Sequence, residues 1–358
     1  MVTIRDVARR AGVSVASVSR ALNNYPDINS DTKARILEVV RELRYYPSAT
    51  ARNLVTHKSR TVGVLYRTDE GFSHPHLGSV LKAFQDAIGD HGYDVLIFSD
   101  KHRPFGEWNL LDRVRHRAVD GVLIIGGVDD NAGGLLQSDL PLVGIDFVSA
   151  GKNMGSVMSD NRRAVHDMVL TLFQSGYRSF GFVHGPLQLQ VALERLQGFY
   201  SGMSELGIAV SDRWIFGGEF TFAAGYAAGR GMMELDERPE VIVCSADVIA
   251  IGLMRVLLEE GIRIPDDIGV VGFDDIEMAG YVYPPLTTVI QDKEGIGRKA
   301  AELIIGNMAE SEQAARPMHY VLPTSLVERG STRPLGTLRD RALLGPGLAA
   351  GGKGQSGI

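Results

Sequence analysis

Two architectures in series are predicted: a small all-α head carrying a helix-turn-helix, and a larger α/β body of two doubly wound parallel-sheet lobes. Three observations predict them. Residues 1–60 hold eleven Lys and Arg against five Asp and Glu, a net of +6, whereas the remainder holds 26 against 38, a net of −12. Within that basic head, apolar residues recur at helical spacing on either side of Gly12. From Thr61 onward, short apolar runs alternate with helical stretches, as βα units require.

The remaining composition bounds the class. A chain of 358 residues, 44% hydrophobic and 22% charged, is long enough for two or three globular domains. No apolar run approaches the ~18 to 20 residues that span a bilayer. The segment Met1-Val2-Thr3-Ile4-Arg5-Asp6 is charged at once and has no apolar signal core, so a cytoplasmic location and no membrane partner are expected. The single cysteine, Cys244, lies in an apolar run and reads as a buried strand residue, without an internal disulfide or Cys-rich metal site.

In the head, Ile4, Val7, Ala8 and Ala11 stand at i, i+3, i+4 and i+7, and Gly12 stops the helix. Ser14 is placed to cap a second helix from Val15 to about Leu22, which buries Val18, Ala21 and Leu22 and turns Val15, Ala16, Ser17, Ser19 and Arg20 outward. A third helix opens near Ser30-Asp31 and carries Ile36, Val39, Val40 and Leu43 inward. A second helix of small side chains and one arginine suits a DNA major groove, where arginine pairs with guanine and apolar groups meet thymine methyls. The basic charge of the head fits a polyanionic partner.

In the body, strands are predicted at Thr61 to Tyr66, Tyr93 to Phe98, Asp120 to Ile125 and Leu140 to Ile145, then at Ser179 to Val183, Glu240 to Cys244 and Ile268 to Gly272. Helices are predicted near His76 to His91, Phe105 to Arg117, Asn161 to Ser175, Leu189 to Leu206, Thr221 to Leu235 and Asp247 to Glu260. Two facing lobes of this kind take a ligand outside the carboxyl ends of their strands.

The run from Thr3 to Asn23, with Ala8-Arg9-Arg10-Ala11-Gly12-Val13-Ser14-Val15-Ala16-Ser17-Val18-Ser19-Arg20 at its centre, resembles the helix-turn-helix of the lactose-repressor (LacI/GalR) family of bacterial transcription regulators. Leu43 to Leu54 resembles that family's hinge segment. Ser159-Asp160-Asn161, Glu194 to Phe199, Ser245 to Gly252, Gly272-Phe273-Asp274-Asp275 and Pro284-Pro285-Leu286-Thr287-Thr288 resemble its effector domain, which is itself similar to periplasmic binding proteins of type I. The resemblance implies a helix-turn-helix domain at 1–46, a hinge at 47–60 and an effector-binding and dimerisation domain at 61–332. It places the first lobe at about 61–160 and 291–320 and the second at about 161–290 and 321–332. The chain would cross between lobes near Asp160-Asn161, Thr288 to Asp292 and Tyr320 to Leu322. The Gly-rich tail, 333–358, reads as disordered, with no heptad to build a tetramer.

For the head, the resemblance implies base contacts from Val15, Ala16 and Arg20, phosphate contacts from Thr3, Ser14, Ser17, Asn23 and Asn29, and a minor-groove wedge at Leu54. For the cleft it implies His76, Asp146, Arg195, Phe220 and Asp274. Where the family usually carries an asparagine against the ligand this chain has Ala246, and Asp247 is expected to cap the following helix.

No phosphate loop, nucleophile elbow or His-Glu-x-x-His occurs. Adjacent acids such as Asp129-Asp130 and Asp274-Asp275 suit loops and caps rather than acid-base chemistry. The expectation is therefore a non-enzymatic, homodimeric repressor without cofactor or metal. Its partners would be a palindromic double-stranded DNA operator and a small-molecule effector, a sugar first and a nucleoside or purine second. A solute-binding protein without a regulatory role is the rival class.

Overall fold

The computed structural model describes residues 2–23, 25–46, 58–66, 74–98, 108–127, 133–309 and 318–335. The chain divides into two compact units, Met1–Arg60 and Thr61–Ile358. Leu54, the hinge segment 47–57, the pair Asp129-Asp130 and residues 336–358 lie outside the described residues.

The head is built from α1 (Ile4–Ala11), α2 (Val15–Leu22) and α3 (Ser30–Glu42). Thr3 and Asp6 form a capping box at the start of α1, each satisfying a backbone N–H that the helix leaves over. Gly12 ends α1 at φ 66°, and its N–H returns to the carbonyls of Ala8 and Arg9. That left-handed turn is why glycine stands there, since a Cβ is disfavoured in this conformation. Ser14 caps α2 through the Ser17 N–H, and Asn29 caps α3 through those of Asp31 and Thr32. Val7, Ala8, Ala11, Val18, Ala21, Ile36 and Val39 form the core, with Leu22 half-buried against it.

The body begins with β1 (Thr61–Tyr66), α4 (Pro75–Gly89), β2 (Asp94–Phe98), α5 (Leu110–His116), β3 (Gly121–Ile125) and the short α6 (Gly133–Leu136). Next come β4 (Leu142–Ile145), β5 (Met154–Ser159), α7 (Asn161–Gln174), β6 (Phe180–His184), α8 (Gln190–Glu205) and β7 (Ile215–Gly217). It continues through α9 (Phe222–Met233), β8 (Val241–Cys244), α10 (Asp247–Glu259), β9 (Gly269–Asp274) and β10 (Thr287–Gln291). The last elements are α11 (Lys293–Ala309), β11 (His319–Leu322) and β12 (Thr324–Val327).

Two six-stranded sheets result, ordered β11-β5-β4-β3-β1-β2 and β12-β10-β9-β8-β6-β7. Every pairing is parallel except β12 against β10. In each sheet the first strand lies between the second and third, so the order reverses there and leaves a crevice at the strands' carboxyl ends. Central strands are buried along their length, which explains their unbroken Val, Ile and Leu runs.

The chain passes between the sheets three times. The first passage follows β5 at Asp160, the second follows β10 at Asp292, and the third is at Pro323. Sequence reading placed the third at Tyr320 to Leu322. It falls one residue later because Leu322 still pairs with Ser159 in the first sheet. Residues 333–335, assigned from sequence to the tail, are packed instead: the Arg333 N–H donates to the Tyr177 hydroxyl at 2.8 Å, and Leu335 rests on the second core.

Candidate effector cleft and nucleic-acid interface

Asp146 follows β4 and Asp274 ends β9, so each stands at the carboxyl edge of a different sheet. Both hold positive φ, 67° and 116°, as does Asp275 at 49°. Such backbone costs a non-glycine residue roughly 1–3 kcal/mol and persists where its surroundings enforce it, often at ligand sites.

Arg195, in the second turn of α8, is 3% exposed. Its Nε donates to Asn161 Oδ1 at 2.8 Å and its Nη1 to the Ser245 carbonyl at 2.6 Å, with Asp274 Oδ1 3.5 Å away. The guanidinium lies 3.7 Å over the Phe273 ring and 5.9 Å from that of Phe220. Phe220 in turn meets His74 edge to face at 6.1 Å. His74 Nε2 is 4.0 Å from Asp274 Oδ2, and His76 Nε2 is 3.9 Å from Asp146 Oδ2. Gln291 joins these groups, since its Nε2 donates to Asp274 Oδ1 at 2.6 Å and lies 3.5 Å from His76 Nδ1. The five cleft residues expected from sequence are thereby brought into one connected cluster, with His74, Gln291, Asn161 and Ser245 added to it.

Buried polar atoms are ordinarily paired, because an unpaired one costs about 1–3 kcal/mol. Here His74 Nδ1, His76 Nε2, Asp146 Oδ1, Ser245 Oγ, Asp274 Oδ2 and Gln291 Oε1 are buried without a hydrogen-bond partner. They are concentrated where the two sheets' carboxyl edges meet, and a polar molecule there would satisfy them.

Burial holds the His76 imidazole neutral, pushing its pKa down to about 3, against the upward pull of Asp274. His74 is lowered for the same reason. Burial pushes Asp146 up to about 6, opposed by Arg195 and assisted by Asp274 and Glu194. For His76 the unfolded chain binds a proton that the folded one refuses, so the body loses stability as pH falls from about 6.5 toward 3. Asp146 acts in the opposite sense, its folded form gaining a proton as pH falls through about 6. The raised carboxyl of Asp247 acts in the same sense as Asp146, so the histidine's contribution is read by difference: His76→Gln is expected to lose less stability, or gain more, than the parent as pH falls from 7 to 4. Urea denaturation of both proteins between pH 7 and pH 4 checks this; an unchanged slope in the variant would refute it.

Asp247 corrects the sequence reading. The N-cap of α10 is Ala246, and Asp247 is the first helical residue. Its Oδ1 accepts from the Thr288 hydroxyl at 2.5 Å and its Oδ2 from the Ile276 N–H at 2.8 Å. Fully buried, and facing the charge of Asp274, its carboxyl is held above the usual carboxylate range. The residue ties α10 to β10, the strand that leaves for the other lobe.

In the head, Val15, Ala16 and Arg20 are exposed on α2 and Ser17 is half-buried. Arg20 reaches Asp27 at 3.6 Å, both side chains being largely in solvent. Thr3, Ser14 and Asn29 serve as caps, and the Asn23 side-chain amide donates to the Ser19 carbonyl at 2.9 Å. Thr3, Ser14, Asn23 and Asn29 nevertheless remain exposed, and the caps lie at helix N-termini, whose free N–H groups attract phosphate.

A helix-turn-helix head and a two-sheet body with a polar cleft define a ligand-responsive DNA-binding protein. Residues 3–48 match the profile of bacterial regulatory proteins of the lacI family, and residues 169–332 match that of the periplasmic binding protein-like domain. The HTH-type transcriptional repressor CytR of Escherichia coli (strain K12) is 31% identical over 335 residues, covering 93% of this chain and 97% of that one. PurR of Proteus mirabilis (strain HI4320), likewise an HTH-type transcriptional repressor, is 32% identical over 92% of this chain and 97% of its own. The lac repressor dimer bound to operator and the anti-inducer ONPF superposes with a TM-score of 0.82 at 24% identity, over 93% of this chain and 99% of that one. This chain belongs to the lacI family of bacterial regulatory proteins and is a DNA-binding transcriptional regulator. No helix among the described residues is long and apolar enough to cross a membrane.

Proposed function

We propose that the protein is a cytoplasmic, non-enzymatic repressor that binds a palindromic operator as a homodimer and is released when a sugar enters the cleft between Asp146 and Asp274. The cluster of buried, unpartnered polar atoms supports this most directly. Arg195 and Phe220 supply a planar donor fork and an apolar ring face, which suit the edge and face of a pyranose or furanose. A nucleoside or purine is the second reading, favoured by Ala246, which is fully buried and offers no side-chain amide.

On the DNA side, Val15, Ala16 and Arg20 would meet bases while Thr3, Ser14, Ser17, Asn23 and Asn29 meet phosphates. Leu54 enters from the family resemblance alone. Met278, Tyr281 and Tyr283, exposed on one loop, are the patch we expect a second copy to cover.

Mobility shift with DNA from the gene's own upstream region tests the reading. Salt-sensitive binding by the full chain, lost on deletion of residues 1–58, is expected; equal binding after the deletion would overturn it. Arg20→Ala is expected to lower discrimination at one base pair of each half-site by about 1–3 kcal/mol, with non-specific binding changed far less. Leu54→Ala should likewise weaken specific binding selectively, and equal loss on random DNA would remove the wedge.

A further inference from the structure

We propose that Gln190 is a latch between the two lobes: its side chain takes a hydrogen bond from the backbone of the first lobe and so sets how readily the cleft opens. It acts on the cleft itself, whichever molecule enters.

Gln190 is the first residue of α8, in the second lobe, and is half-buried. Its Oε1 accepts from the Val148 N–H at 2.9 Å. Val148 belongs to the first lobe, on the segment that joins β4 to β5, just beyond Asp146. That segment is fixed to its own lobe, because the Asp146 N–H donates to the Val157 carbonyl at 3.1 Å and Phe147 is buried in the first lobe's core. The Val148 N–H therefore cannot follow α8 if the lobes part.

The Gln190 amide is oriented from both sides. Only its oxygen can accept from Val148, and only its nitrogen can donate to a carboxylate. Nε2 does so, to Glu194 Oε1 at 2.7 Å, one helical turn further along α8. The other oxygen of Glu194 accepts from Asn161 Nδ2 at 3.4 Å, and Asn161 Oδ1 accepts from Arg195 Nε at 2.8 Å. One line of hydrogen bonds thus runs from the backbone of the first lobe to the guanidinium in the cleft, by way of the residue that follows the first passage.

Gln291 and Lys293 also reach across the lobes, to His76 and to the Asp275 carbonyl, but they flank Asp292 at the second passage and travel with it. Neither Gln190 nor Val148 lies on a connecting strand. Beyond a donor-acceptor separation of about 3.5 Å a hydrogen bond is lost, so a lobe rotation that adds roughly 1 Å at this contact undoes the latch. A single neutral hydrogen bond shifts a balance between two states by about 2- to 10-fold.

The measurement needs no ligand. His76 is 3% exposed and lies against Gln291 of the second lobe, so its modification by diethyl pyrocarbonate reports opening of the cleft. His91, exposed on the first lobe, monitors the reagent. Cys244, the single cysteine and fully buried in the second lobe's core, reports unfolding through its reaction with a maleimide. In full-length Gln190→Ala, modification of His76 should accelerate about 2- to 10-fold while His91 and Cys244 react as in the parent. An unaltered or slower rate at His76 would overturn the proposal. So would a faster rate matched at Cys244, which means loss of fold rather than opening.

Gln190→Met keeps the bulk of the side chain and removes both hydrogen bonds, so it should behave as Gln190→Ala does. A parental rate in Gln190→Met would assign the effect to packing and refute the latch. Glu194→Ala probes the line to Arg195: it should speed His76 modification as well, and combining it with Gln190→Ala should give less than the product of the two separate factors. Full multiplication would show that Gln190 acts without Glu194 and would refute the line of bonds.

Discussion

Arg195→Ala is expected to abolish the effector response while the operator complex still forms. In the proposed site the side chain would have two duties, since it holds together Asn161 from α7, Ser245 after β8 and Asp274 at the end of β9 and would also meet the effector. Removing it leaves a buried carboxylate short of its cation and two acceptors short of donors. Breaking a buried pair by removal of one partner costs about 3–5 kcal/mol, so the melting temperature of the body should fall as well. Gel shift with and without effector, combined with calorimetry, reads both effects. Arg195→Lys keeps the charge and loses the fork, and a normal response from it would show that charge alone suffices. Loss of operator binding by folded Arg195→Ala, or an effector response equal to wild type, would contradict the assignment.

Gly225→Ala is expected to be the most damaging small substitution in the second lobe. Helices α9 and α10 cross so closely that a Cβ at Gly225 would lie 1.9 Å from the Ile249 carbonyl oxygen, and one at Gly252 would lie 2.1 Å from that of Phe222. Both obstacles are backbone, so no rotamer change relieves them and the helices must part. Overpacking of this kind costs about 1–3 kcal/mol or more. Gly306→Ala is the control: it lies within α11 with nothing within 4 Å of the added carbon, so it should gain about 0.5–1 kcal/mol from helix propensity. Urea midpoints of the two variants should therefore move in opposite directions, and shifts of the same sign would refute the packing argument.

Much of this architecture was legible because burial leaves a period. β1 was read at its observed limits, and the other strands read from sequence agreed to within two residues, because two-sided burial demands unbroken apolar runs. β5, with the sequence Met-Gly-Ser-Val-Met-Ser, escaped because small and polar residues suffice under its covering helices. β11 and β12 are short edge strands with exposed positions such as Val321, so their apolar signal is thin. Helix α11 did carry a signal in Ile296, Ala300, Leu303 and Ile304, at i, i+4, i+7 and i+8, that went unread.

The site divides similarly. The family resemblance pointed to Asp146 and Asp274, and their places after apolar strand runs agreed with it. Gln291 and Thr288 gave no local sign, since their roles depend on strand register and on which groups face them across the cleft. Asp247 preceded a helix and so resembled a cap. Only the fold shows that its carboxyl turns inward to Thr288 and Ile276.

The three passages between the sheets have a consequence for biosynthesis. Helix α11 delivers Ile296, Ala300, Ala301, Leu303 and Ile304 to the core under the first sheet, although that sheet's earliest strand is made more than two hundred residues before. Its edge strand β11 comes later still, and β12 completes the second sheet immediately afterwards. The first lobe cannot close while the ribosome is still adding residues before about 320, and the second still lacks its edge strand, so a nascent chain exposes an unfinished first core. Premature termination within the last tenth of the body should therefore yield aggregation-prone product rather than a free-standing first lobe, whereas the head, whose core residues all lie between Val7 and Val39, should fold long before the body is complete.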